Sequence, residues 1–139
     1  MTFRPVIRSQ ADLEQAWRHL MGPLGFSHER LWLMLIESDG RAIPQLTTID
    51  ELGEPPAADE AERLASFLRH LVEALDQPGL RLAVLRSRPG RGGPTARDLA
   101  WARALYDACR KACLPSEVVH LATDHDLLPL PWDALQVPA

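Results

Sequence analysis

The 139-residue chain is short of lysine, cysteine and aromatic side chains, and it has no long apolar run. Lys111 is the single lysine, so positive charge is carried almost wholly by arginine, and no lysine stands where a phosphate-binding P-loop needs one. The two cysteines, Cys109 and Cys113, lie four apart in a strongly helical segment, a spacing that disfavours a strain-free disulfide. They read as core thiols. The alternative, a Cys-x-x-x-Cys metal half-site, has no second pair to complete it. No apolar stretch approaches the ~20 residues of a membrane span, and Met1-Thr2-Phe3-Arg4-Pro5 is not followed by the apolar segment of a signal peptide. The expectation is a cytoplasmic domain without a membrane segment. There is no Gly-x-Ser-x-Gly, and neither cysteine has an evident base beside it, so a serine or cysteine nucleophile is unsupported.

What is present fits one globular domain spanning 1–139. The hydrophobic fraction of 46% and charged fraction of 24% are ordinary, and a chain of this length buries ~70% of the surface that its unfolded form exposes. The net charge of -4 argues against bulk binding to nucleic acid. The charges are nevertheless segregated. Asp50 to Glu62 holds six acidic residues and no base, whereas Gln77 to Arg97 holds five arginines and no acid.

Periodicity orders the elements. Ser9-x-x-Asp12 starts a helix carrying Leu13, Ala16, Trp17 and Leu20, ended by Gly22-Pro23. Leu31–Ile36, the Asp39-Gly40 turn and Ala42–Ile49 read as a hairpin whose second strand, broken by Pro44, belongs at a sheet edge. Asp59-x-x-Glu62 starts a second helix with Leu64, Phe67, Leu68, Leu71, Val72 and Leu75 on its stripe, stopped by Pro78-Gly79. Leu80–Leu85 is a short buried strand, and Thr95-x-x-Asp98 opens a helix whose buried face is Trp101, Ala102, Leu105, Ala108, Cys109, Ala112 and Cys113. Val118–Ala122 is a further strand, and Leu127–Leu135 adds a short strand or turn. The order predicts an α/β layer architecture, a mixed sheet with helices packed on it.

The most informative run is 86–98: Arg86-Ser87-Arg88-Pro89, then Gly90 to Pro94, then Thr95-Ala96-Arg97-Asp98. It resembles the signature of the JAB/MPN (JAMM) metalloprotease superfamily, in its RadC-like branch, where a strand ends in His-x-His-Pro and a Ser-x-x-Asp starts the next helix. Here the loop is one residue shorter, and arginines replace both histidines. Upstream, Glu29 leading into the apolar run Leu31–Ile36 is similar to that family's acid/base glutamate. The resemblance implies a JAB/MPN-like, cytidine-deaminase-like sandwich with a degenerate site at Glu29, Arg86, Arg88, Thr95 and Asp98. Each position also has a plainer reading. Thr95 and Asp98 form a capping box by themselves, Pro89 and the glycines are loop punctuation, and Glu29 is a solvated residue before a strand.

Arginine cannot ligate zinc, because its guanidinium stays protonated and offers donors only. No metal, no cofactor and no catalysis are therefore expected. Residues i and i+2 of a strand share a face, so Arg86 and Arg88 are expected to pair with Asp98, and with Glu29. The functional reading is a non-catalytic domain used for interaction or assembly, with an unidentified protein partner or a second copy of itself. One alternative is binding of phosphate, nucleotide or nucleic acid by Arg86, Arg88, Arg91 and Arg97 with the Gly90, Gly92 and Gly93 amides, which the net charge disfavours. A second is a residual metal-dependent hydrolase using Asp98 with His120. Asp124-His125-Asp126 reads as a solvated loop, and His120 as a hydrogen-bonded core residue.

Overall fold

Helices begin where a side chain can satisfy the free amides of the first turn. The computed structural model describes residues 5–50, 53–57 and 60–135. Ser9 caps α1 (Gln10–Met21) by accepting the Asp12 N–H at 3.1 Å, while the Asp12 carboxylate accepts the Arg8 N–H at 3.0 Å. Gly22, at φ 60, ends the helix. The hairpin follows as β1 (Arg30–Ile36) and β2 (Ala42–Ile49). Then come α2 (Ala61–Glu73), β3 (Arg81–Ser87), α3 (Ala96–Lys111), β4 (Val119–Ala122), β5 (Leu127–Leu130) and the single turn α4 (Trp132–Leu135).

The strands form one mixed sheet in the order β2-β1-β3-β4-β5. β1 is antiparallel to both β2 and β3, β3 is parallel to β4, and β4 is antiparallel to β5. β2 lies at an edge, as Pro44 requires. The register slips between Met34↔Leu46 and Ile36↔Ala42, and Pro44, which has no N–H to contribute, sits inside that slip.

Alternation along the strands divides the core into two layers. Leu31, Leu33, Leu35, Leu82 and Val84 pack against Ala65 and Leu68 of α2 and Trp101, Leu105 and Ala108 of α3. Met34, Ile36, Ala83 and Leu85 pack against Leu13, Ala16 and Trp17 of α1. The sheet is thus covered on both faces, which explains the unbroken apolar runs in β1 and β3. No described helix is long and apolar enough to cross a membrane.

Two expectations change. On α2 the buried positions are Ala61, Ala65 and Leu68, and Phe67 keeps 39% of its surface exposed. Leu64, Leu71, Val72 and Leu75 pack against the same core, so of the expected stripe only Phe67 turns outward, while the small Ala61 and Ala65 take the most buried positions. The proposed Asp59 cap lies outside the described residues. Cys109 is buried, but Cys113 is exposed at φ 54, because α3 has already ended when the chain reaches it. Burial pushes the Cys109 thiol up to about 12, which leaves it protonated and inert.

Tyr106 fastens the short far edge of the sheet to α3. Its hydroxyl accepts the Val119 N–H at 2.9 Å and donates to the Leu130 carbonyl at 2.8 Å. Tyr106→Phe leaves both backbone groups without that partner, with an expected loss of about 1–2 kcal/mol. A lower urea midpoint with an unchanged m-value would show it.

Candidate functional site

The end of β3 carries the unusual chemistry. Arg86 lies on the same face as Leu82 and Val84, the α3 side, and is only 1% exposed; Arg88, just past the strand, is 8% exposed, and Asp98 is fully buried. Asp98 reaches them because it stands three residues into the Thr95-capped start of α3. The Thr95 hydroxyl accepts the Asp98 N–H at 3.2 Å, and the Asp98 carboxylate accepts the Thr95 N–H at 2.8 Å. This reciprocal box fixes the carboxylate against the strand end.

Both Asp98 oxygens are fully engaged. Oδ1 accepts from Arg86 Nε and from Arg88 Nε, each at 2.9 Å. Oδ2 meets Arg88 Nη2 at 2.8 Å as well as the Thr95 amide. Arg86 then continues to Glu29, with Nη2 donating to Oε1 at 2.6 Å. Arg97 completes the array, donating from Nε to Glu29 Oε1 at 2.7 Å and from Nη2 to the Gly53 carbonyl at 2.6 Å. The structure therefore brings together Glu29, Arg86, Arg88, Thr95 and Asp98. It adds Arg97, which sequence reasoning placed among anion-binding arginines. Arg91 is exposed and contributes nothing to the cluster.

Burial alone pushes the Asp98 carboxyl up, yet the bonds from Arg88, the Thr95 amide and Arg86 outweigh it and hold its pKa below the usual 3.8. Glu29 is held below the usual 4.5 mainly by its bond from Arg97, reinforced by Arg86. Arg88 and Arg97 move upward in return, chiefly through Asp98 and Glu29 respectively. Charges of both signs are locked on.

The loop between strand and helix is tied down at a residue read as solvated. Asp124 accepts the Gly90 N–H at 2.9 Å through Oδ2 and the Phe26 N–H at 3.2 Å through Oδ1. Gly90 itself has φ 107, and a Cβ there would come 3.2 Å from Arg88 Nη1. Nothing local in Asp124-His125-Asp126 signals this tie, since both amides come from distant segments. His120 is buried as expected, with Nδ1 3.0 Å from the Val118 carbonyl and Nε2 3.7 Å from Glu14. It points to the α1 side with its neighbour Ala122, away from Asp98. The two cannot share a metal.

Compared with known proteins, the chain matches no family model, no curated protein and no solved structure. The zinc implied by the sequence resemblance can be tested on the residues alone, and they do not fit it. The two positions for imidazoles carry permanent cations, and the remaining carboxylate has both oxygens occupied. Among the described residues, no group of three or more His, Cys, Asp and Glu side chains is arranged to hold a metal ion. A Ser–His–Asp grouping does occur at Ser27, His28 and Asp50, with Ser27 Oγ 2.8 Å from His28 Nδ1 and His28 Nε2 3.6 Å from Asp50. Arg30 Nη2 stands 3.0 Å from that same Nε2. Asp50 is also ion-paired with Arg30, so the carboxylate that would orient the imidazole is shared with a guanidinium.

Asp98→Ala leaves Arg86 and Arg88 buried without their common counter-ion, and the expected loss is about 3–5 kcal/mol. Thermal unfolding should start on the order of 10 °C lower.

Acid should act in two stages. His120 is held below its usual 6.5 by burial, so its contribution is complete above about pH 6.5 and is lost as the pH falls through its folded value. The Asp98 and Glu29 contributions are complete above about pH 4–5 and are lost as the pH falls through their lowered values. Urea midpoints measured from pH 7.5 to pH 3 should fall in two steps, and His120→Phe should remove the first.

Proposed function

We propose that this chain is a non-catalytic domain of JAB/MPN-like, RadC-like architecture, in which a guanidinium–carboxylate cluster stands where a hydrolase of that shape carries its metal, and that it serves protein interaction or assembly. The element order, with an edge hairpin, a parallel β3–β4 pair and α3 between them, supports a sandwich of that kind. The observation that carries the reading is the Asp98 carboxylate clasped by both arginines of Arg86-Ser87-Arg88 while Arg86 also holds Glu29. A hydrolytic site needs an open coordination position and room for water. This one is closed, with its two central groups essentially inaccessible.

Anion binding by the same loop has less to work with, because Arg86, Arg88 and Arg97 are already paired with carboxylates. Interaction is favoured by what the fold leaves outside, notably the exposed Phe67 on α2 and the outer edge of β2.

The decisive experiment restores the imidazoles. R86H/R88H supplies two neutral ring donors beside Asp98, and the folded double variant is expected to bind one Co²⁺ per chain, with visible absorption of a low-coordinate site, whereas the unaltered protein binds none. A double variant that folds by circular dichroism yet binds no metal would contradict the proposed ancestry of the site. Sedimentation equilibrium tests the other half: self-association or partner binding weakened by Phe67→Glu supports it, and a monomer at every concentration with no partner recovered argues against it.

A further inference from the structure

Alternation at the strand ends sends neighbouring residues to opposite faces. Glu29, Arg86 and Arg88 turn toward α3 and close the ionic cluster, while Arg30, Trp32 and Ser87 turn toward α1. On that second face α1 ends at Met21, and its last turn, Leu20 and Met21, borders the corner. The uncovered corner is a cavity of about 310 Å³, within the size range of small-molecule sites, ~300–1,000 Å³.

We propose that this cavity binds a small, uncharged, planar heteroaromatic ring bearing acceptor atoms, of the nucleobase kind. This is separate from the reading of the cluster and does not depend on it. Phe26 and Trp32 supply aromatic walls, and Leu20 and Met21 close the side toward α1. Both aromatic residues are anchored. Trp32 Nε1 donates to Ser87 Oγ at 2.8 Å, the Arg30 guanidinium lies 5.2 Å from the Trp32 ring centre, and the Phe26 amide is fixed on Asp124. Side chains already packed against the α1-side core lose little freedom when a ring settles on them.

Two features select the chemistry. Ser87 is 1% exposed and uses its oxygen to accept from Trp32, so its own hydroxyl proton is left to donate to a ring nitrogen or carbonyl. At the rim, Arg30 is already ion-paired with Asp50 and bonded to His28, so its charge is balanced and a free anion gains little there. A neutral ring with acceptors satisfies both.

The test is a titration of ¹⁵N-labelled protein with adenine, and with indole as a ring of similar size that lacks an acceptor. The Trp32 indole N–H resonance, assigned from W32F, is expected to move saturably with adenine while those of Trp17 and Trp101 stay put. Indole should bind more weakly. Ser87→Ala and Phe26→Ala should each weaken adenine binding about fivefold or more. Ser27→Phe, which fills the mouth from an exposed position without touching the core, should abolish it. The proposal is overturned if adenine moves Trp32 non-saturably or not at all, if S27F binds as well as the unaltered protein, or if indole binds as tightly as adenine.

Discussion

Attraction between one buried carboxylate and two buried guanidiniums organises this molecule. Asp98 is the point where the end of β3, the start of α3 and, through Arg86 and Glu29, the segment entering β1 are joined. Each charge removed from water carries a desolvation cost of several kcal/mol, and the array is stable only because every carboxylate oxygen has a charged or amide donor. The cluster is therefore an all-or-nothing unit. Its members hold one another in place, and a single vacancy would leave an uncompensated charge in the core.

The neighbours follow from that constraint. Thr95 caps α3 so as to hold the carboxylate on the strand side, and Gly90 takes a positive φ beside the Arg88 head group. Asp124 then fixes the loop carrying Gly90 to the one carrying Phe26. One strand end thus organises both faces of the sheet: an ionic cluster centred on the buried Arg86 and Asp98 toward α3, and on the other side an open corner bordered by Phe26 and Trp32.

Much of this was legible in the sequence where the physics is local. Ser9 with Asp12 and Thr95 with Asp98 are helix starts because capping involves residues three apart, and Arg86 and Arg88 converge because of strand alternation. What was not legible depends on phase or on distance. Phe67 was misplaced by a single helical step, about 100° of rotation, and Cys113 by the helix ending two residues before it. Arg97 meets Glu29 across 68 positions and Asp124 meets Phe26 across 98, and no local pattern encodes either approach. The sheet order, too, emerges only when the edge hairpin and the parallel pair are assembled. Strand alternation anticipated that Arg86 and Arg88 meet Asp98 and Glu29, while the third guanidinium, Arg97, came only from the tertiary fold.

Ionic strength separates the two kinds of charge pair this fold contains. Mobile ions screen contacts at the surface, such as Arg110 with Asp107, over a Debye length of about 8 Å in physiological buffer. They have no access to Arg86 and Asp98, which are sealed beneath α3. In molar salt the surface pairs fade and the sealed ones persist, so a brine that weakens the exterior electrostatics of this domain leaves its central joint intact.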